Sequence, residues 1–268
     1  MERLPYVIVL AAYAFATIGH LLPALVGGRL ARRAHAVAVA GAALHAATLA
    51  VGIVASAVAP GFPEALSATS LGAIAAYGWV GRERLRSLGM LLCPLALVLL
   101  GTALVVPHRY LPVAVDSGRS PWLWIHLGLV FAGIGGFALS SGVGVVYLWV
   151  RGRLKHKRLA GLERLPSLEL LDRIQFRSML FGFVFLTLGI GAGGAWAAVT
   201  LQEPWTVDPK VVFTLLIWLW YGVALQVRLV AGRRGRWTAL FSIVGFTGLL
   251  FSLVGVNFLV SGFHAYGP

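Results

Sequence analysis

The sequence predicts an all-α, polytopic integral membrane bundle of about eight transmembrane helices, with both termini on the outer, periplasmic side. Three observations predict it. The chain is 59% hydrophobic and 12% charged with a mean hydropathy of +0.87, whereas a soluble domain is about 45–50% apolar and about 25% charged. Its apolar residues gather in continuous runs of about 20, the length that spans a hydrocarbon core. Its basic residues fall between those runs, alternately on one side of the predicted membrane. The runs are unbroken rather than alternating, so helices are expected instead of barrel strands, since backbone groups in lipid must be satisfied within the segment.

The first run, about 5–26, follows Met1–Arg3, which is barely basic, and no small-residue cleavage site precedes Arg29. It is expected to be a retained span rather than a cleaved leader. The second run, about 36–59, holds His45, as the first holds His20. An ionisable side chain is costly in lipid and usually faces the bundle interior, so both are expected to be buried polar partners, with a second metal site as the alternative. Runs three and four, about 65–81 and 88–107, complete four N-terminal spans within 1–107 to which the sequence assigns no role. Cys93 lies in the fourth and is the only cysteine, so the chain has no internal disulfide, no CxxC pair and no CxxCH haem-attachment site. Run five, about 122–150, opens on Pro121-Trp-Leu-Trp-Ile-His126. Run six, about 179–200, carries Gly189-Ile-Gly-Ala-Gly-Gly194, and run five carries Gly133-Ile-Gly-Gly136. Small residues of this kind let helices approach closely. Runs seven and eight, about 211–230 and 238–262, lead to Gly262-Phe-His-Ala-Tyr-Gly267. The whole of 1–268 is expected to form a single membrane domain.

The loops set the orientation. Three arginines follow run one, three follow run three, eight lysines and arginines from Arg151 to Arg177 follow run five, and four arginines follow run seven, so 18 of the 22 share one face. By the positive-inside rule that face is the cytoplasm. The opposite face carries Arg3, Arg109, Arg119 and Lys210, in loops at about 60–64, 108–121 and 201–210 and the tail 263–268. The net charge of +13 is therefore read as a topology signal, and the lipid bilayer rather than nucleic acid as the partner. Within the inner loop, Leu165 to Arg177 has apolar residues at Leu168, Leu171 and Ile174 with Glu169 and Arg173 four apart. That pattern predicts a short amphipathic helix on the membrane surface. His35 and His156 sit among basic residues and read as solvated loop side chains.

The candidate chemistry collects on the outer face. His126 and His264 each end a predicted span there, and two imidazoles at one depth are the minimum for holding a haem iron by two axial ligands. His108, beside Arg109 and Tyr110, is a reserve ligand. Between the two histidines runs Trp196-Ala-Ala-Val-Thr-Leu-Gln-Glu-Pro-Trp-Thr-Val-Asp-Pro-Lys210. Trp196 and Trp205 fit the aromatic belt of any membrane protein and equally a flat platform for a planar ligand. Lys210, Arg119 or Arg109 could meet carboxylates such as haem propionates, with Asp208-Pro-Lys210 as a tight turn aiming the lysine. There is no HExxH, GxSxG or Walker loop and no buried carboxylate pair, so no catalytic residue is assigned. A transporter would be expected to place ionisable groups near the midplane, and the spans hold almost no acidic ones.

Several stretches carry a family likeness. They are Leu165-Pro-Ser-Leu-Glu-Leu-Leu-Asp172, Gly182-Phe-Val-Phe-Leu-Thr-Leu-Gly-Ile190, Trp196, Asp208-Pro-Lys210, Trp218, Tyr221, Arg228, Gly245-Phe246 and Gly255 to Gly267. This set, over about Trp122 to Gly267, resembles the CcsA/ResC-type cytochrome c assembly proteins, including their short HemX-like branch. The resemblance implies a haem-handling core at 122–267 in a bacterial cytoplasmic (inner) membrane. Haem b, transient or bound, would lie on the outer face with His126 and His264 as axial ligands. Trp205, Asp208 and Lys210 match the family's tryptophan-rich segment. Full-length members carry a denser tryptophan motif where this chain has Leu201, Gln202, Trp205 and Val207, and a histidine within the following span where it has Gln226.

The leading expectation is thus a haem-binding subunit of cytochrome c maturation. It would present haem to an apocytochrome c, alongside other assembly membrane subunits, as part of a haem-attachment (synthase or lyase) complex without acid–base residues of its own. The alternatives are a HemX-like membrane regulator of a tetrapyrrole-synthesis enzyme, contacted through the basic face Arg151–Arg177, and a small-molecule transporter.

Overall fold

The structure, a computed structural model, describes residues 3–22, 28–56, 61–80, 85, 88–106, 120–157, 166–200 and 209–255. Among them are eight α-helices: α1 Arg3–Leu21, α2 Gly28–Ser56, α3 Phe62–Val80, α4 Gly89–Val105, α5 Pro121–Lys155, α6 Leu168–Thr200, α7 Pro209–Leu229 and α8 Arg236–Leu250, the last continued by a π turn, Phe251–Gly255. One helix falls on each expected run. Six of them, α1, α2, α5, α6, α7 and α8 with its π turn, are long and apolar enough to cross a membrane by length and composition. The chain is an all-helical polytopic membrane protein. It divides into two compact units, Met1–Tyr110 with Ala160–Pro166 and Leu111–Leu159 with Ser167–Pro268.

In the first unit α1 to α4 run up and down. Gly19 abuts Ala34, and Gly41 abuts Ala12, so α1 and α2 are antiparallel with their backbones close. Its core is polar at two levels. His45 bridges three helices, its Nδ1 3.1 Å from the Tyr13 hydroxyl and its Nε2 2.7 Å from Ser67 Oγ. One layer away, His20 Nδ1 donates to the Ala16 carbonyl at 2.7 Å while Nε2 lies 2.6 Å from the Tyr77 hydroxyl. Both rings are buried and both nitrogens of each are hydrogen-bonded within the unit, as expected of buried polar partners in lipid. His35 is not a loop residue. It lies in α2, half-buried, with its ring edge-on to Tyr77 at 5.0 Å.

The second unit is also an up-and-down four-helix arrangement. Here α5 and α6 are the longest elements, 35 and 33 residues, or about 50 Å each at 1.5 Å per residue. Both exceed the ~30 Å hydrocarbon thickness. Their contact rests on glycine: a side chain at Gly133 would strike the Leu186 amide nitrogen at 3.0 Å, and one at Gly136 the Gly182 nitrogen at 2.9 Å. Ser140 Oγ donates to the Gln175 carbonyl at 3.0 Å and lies 2.9 Å from Ser242 Oγ, joining α5, α6 and α8. Across the middle, the Phe137 and Tyr221 rings stack at 3.7 Å and 10°. The expected amphipathic surface helix around Leu168–Arg177 is not a separate element. It is the first part of α6, with Leu171 and Gln175 fully buried, because the bundle supplies a wall for the apolar stripe that the sequence assigned to lipid. The Glu169–Arg173 pair forms as expected, exposed, at 2.8 Å.

Candidate functional site

At one end of the second unit the antiparallel order brings together the start of α5, the end of α6, the start of α7 and the π turn after α8. The start of α5 is favoured by Pro121 in the first helical turn, where its missing N–H costs nothing. His126, half-buried, lies in the second turn. Its Nδ1 donates to the Gly189 carbonyl of α6 at 2.8 Å. Because a carbonyl can only accept, Nδ1 carries a proton, so the neutral ring has its lone pair on Nε2, which is the arrangement a metal-ligating imidazole needs.

Gly193 makes the notch in which the ring rests. A methyl group there would lie 2.7 Å from His126 Nδ1 and 2.8 Å from Cε1, inside van der Waals contact. One turn further along α6 is Trp196. It is half-buried, and its indole Nε1 is buried with no hydrogen-bond partner among the described residues. An orphaned buried donor is rare in a native fold and calls for a partner such as a ligand. Lys210 is the second residue of α7, so Pro209 and Lys210 belong to the helix rather than to a turn before it. A cation in the first turn is disfavoured by the helix dipole, which makes an anionic neighbour the more favourable surroundings for it.

These residues fit a planar, carboxylate-bearing metal macrocycle on three counts: an imidazole whose neutral form has its lone pair on Nε2, an indole N–H with no partner among the described residues, and a lysine at the same end. The remaining candidates, His264, Trp205, Asp208 and Arg119, with His108, Arg109, Leu201 and Val207, lie outside the described residues. Gln226 is described and exposed, on the outward face of α7 near its far end, so it adds no polar group to the interior of the unit.

The opposite end holds a constellation that sequence reasoning missed. Asp172 accepts two bonds from Arg228, at 2.7 Å each, and a third from the Gly235 amide at 2.9 Å. Arg228 also donates to Thr238 Oγ1 at 2.9 Å and lies 4.4 Å over the Phe176 ring. The pair is largely buried, 9% and 19% exposed, and ties α6, α7 and α8 together. Gly235 reaches the carboxylate at φ +65, a conformation glycine adopts without strain. In the sequence Arg228 counted as one more cytoplasmic charge and, with Asp172, as part of the family likeness, but nothing in the spacing of 172, 228 and 235 announces their meeting.

Residues 9–264 match the family model described as Cytochrome C assembly protein. Among curated relatives, the chain is 38% identical over 135 residues to a "Cytochrome c biogenesis protein CcsA" of Prochlorococcus marinus (strain MIT 9301), covering 50% of this chain and 40% of that protein. It is 30% identical over 185 residues to the protein of the same name in Chlamydomonas reinhardtii, covering 68% and 52%. The chain thus spans about half the length of these relatives. Among solved structures, "Cytochrome c Heme Lyase CcmF" superposes with a TM-score of 0.68 at 16% identity, over 94% of this chain and 46% of that one, which is a likeness of fold. With the family model matched over nearly the whole chain, this protein belongs to the cytochrome c assembly protein family.

Proposed function

We propose that the protein handles haem during cytochrome c maturation, holding it at the His126 end of the second unit on the outer face of the membrane. The observation that carries the reading is the His126 cradle: Nδ1 tied to the Gly189 carbonyl, the ring seated against Gly193, and, one turn on, the Trp196 indole with no partner among the described residues. His126 and His264 would hold the haem iron. Trp196 supplies a donor and an aromatic face, with Trp205 as the second aromatic. Lys210, Arg119 and Asp208 supply the charged rim, the cations meeting propionates. Bound haem, of the b type, would contribute vinyl groups for thioether formation on an apocytochrome c.

The chain's own part is to bind and orient. The Nδ1–H···O=C bond fixes ring rotation and tautomer and raises the basicity of Nε2. The α5–α6 glycine contact makes that geometry rigid. The thiols must come from a CxxCH partner, since the one cysteine here, Cys93, is buried in the other unit. The basic loops face the cytoplasm of a bacterial inner membrane, and further assembly subunits complete the apparatus. The CcsA names of the relatives support this reading over a HemX-like regulator, which nothing in the comparisons supports.

The test is the absorption spectrum of the purified full chain. A Soret band is expected that is lost or shifted in both His126→Ala and His264→Ala. Protein that stays haem-free after reconstitution with haemin, or a band indifferent to His126→Ala, would overturn the proposal.

A further inference from the structure

Arg151, Arg153, Lys155, His156 and Lys157 are five of the seven residues 151–157 at and just past the C-terminal end of α5. Cations are favoured at a helix C-terminus by the dipole, so their charge alone implies no ligand. The surface shape does. Leu148, Trp149, Gly152, Arg153 and His156 line an open groove of about 270 Å³, close to the lower end of ligand-site volumes. Positions 149, 152, 153 and 156 follow the i, i+3, i+4, i+7 pattern of one helix face. Gly152 forms the floor, where an added methyl group would meet nothing within 4 Å. Trp149, 51% exposed, forms the wall, and the Arg153 guanidinium lies 5.4 Å over its ring. His156 ends the helix, its amide donating to the Gly152 carbonyl at 3.1 Å. Lys157 then turns the chain at φ +55, a left-handed stop that glycine usually provides.

Along the helix axis the face therefore reads apolar, gap, cationic, with the apolar part toward the span. A free phosphate would use only the last of these. The geometry points to an anionic phospholipid seated in this groove, its phosphate on Arg153 and His156 and its first acyl methylenes along Trp149 and Leu148. The basic residues nearby outweigh the half-charge of the helix end and select against a zwitterionic headgroup. The site is separate from the His126 end and does not depend on haem.

Native mass spectrometry of the purified full chain, titrated with dioctanoylphosphatidylglycerol or dioctanoylphosphatidylcholine, tests this. Phosphatidylglycerol is expected to be retained in preference to phosphatidylcholine, with retention falling about fivefold in Arg153→Gln, the scale of one basic residue at an anionic surface. Gly152→Leu, which fills the groove and changes no charge, is expected to weaken retention comparably, and Trp149→Leu reads the wall should Gly152→Leu not fold. Arg177→Gln, which removes an exposed charge from α6, is expected to leave retention unchanged. The proposal fails if Arg177→Gln matches Arg153→Gln, if groove-filling Gly152→Leu binds as wild type, if both headgroups bind alike, or if equimolar inorganic phosphate displaces the lipid.

Discussion

Replacing Gly193 by alanine tests the cradle most directly. The new methyl carbon would stand 2.7 Å from Nδ1 and 2.8 Å from Cε1 of His126, against an optimal separation of about 3.5–4.0 Å. The ring or the helix must therefore give way by roughly 1 Å. Overpacking of this kind costs about 1–3 kcal/mol, while alanine in place of glycine inside a helix returns about 1 kcal/mol. The net loss of stability should be about 1 kcal/mol. The effect on haem should be larger, because a displaced ring gives up the Nδ1–Gly189 bond at 2.8 Å, and losing such an outer partner typically weakens metal binding by about 10–100-fold. Haemin titration followed at the Soret band, with thermal unfolding in the same detergent, separates the two effects. Gly136→Ala is the control: its methyl would strike backbone atoms of Gly182 and Ser178 at 2.9 Å, destabilising the same helix pair without touching the imidazole. Equal haem affinity in Gly193→Ala and wild type, or equal losses in the two variants, would refute the reasoning.

Three further outcomes are expected. Asp172→Asn leaves Arg228 buried without its countercharge and should cost about 3–5 kcal/mol, read as a large drop in thermal midpoint; an unchanged midpoint would mean that the pair does not hold α6, α7 and α8. His45→Ala strands the Tyr13 and Ser67 hydroxyls at about 1–3 kcal/mol each, and should lower stability while leaving the haem spectrum as it is; a lost Soret band would move the ligand into the first unit. Trp196→Phe removes a buried donor that has no partner among the described residues, so the haem-free protein should be no less stable and haem retention weaker; urea unfolding with and without haemin measures both, and a haem-free form destabilised by more than about 2 kcal/mol would show that the indole already has its partner.

Composition and run length sufficed for the all-helical membrane class, and each of the eight helices lies on an expected run, because lipid permits little else for 20 apolar residues. The local pattern also sufficed for Glu169–Arg173, which are neighbours on one turn. His126 was singled out by its place at the head of a span, and the glycines of α5 and α6 by their number, although which of them faced the imidazole was not legible. That needed the register between two helices, which only packing sets. The same holds for Leu168–Arg177, whose apolar stripe fits lipid and protein equally well until a bundle wall is supplied.

Sequence alone determined the class, the segments, the charge bias between faces and the family likeness, since each depends on local hydrophobicity or on residue identity. Tertiary structure decided that Nδ1 of His126 donates to the Gly189 carbonyl, that Gly193 seats its ring, that the Trp196 indole finds no partner among the described residues, and that Asp172 and Arg228, 56 residues apart, form one buried pair. Three of these are contacts between helices, and the fourth depends on what those helices place around the indole. Hydropathy restricts which face of a helix turns inward, but the partner it meets there is selected by side-chain volume and hydrogen-bond satisfaction across the whole unit.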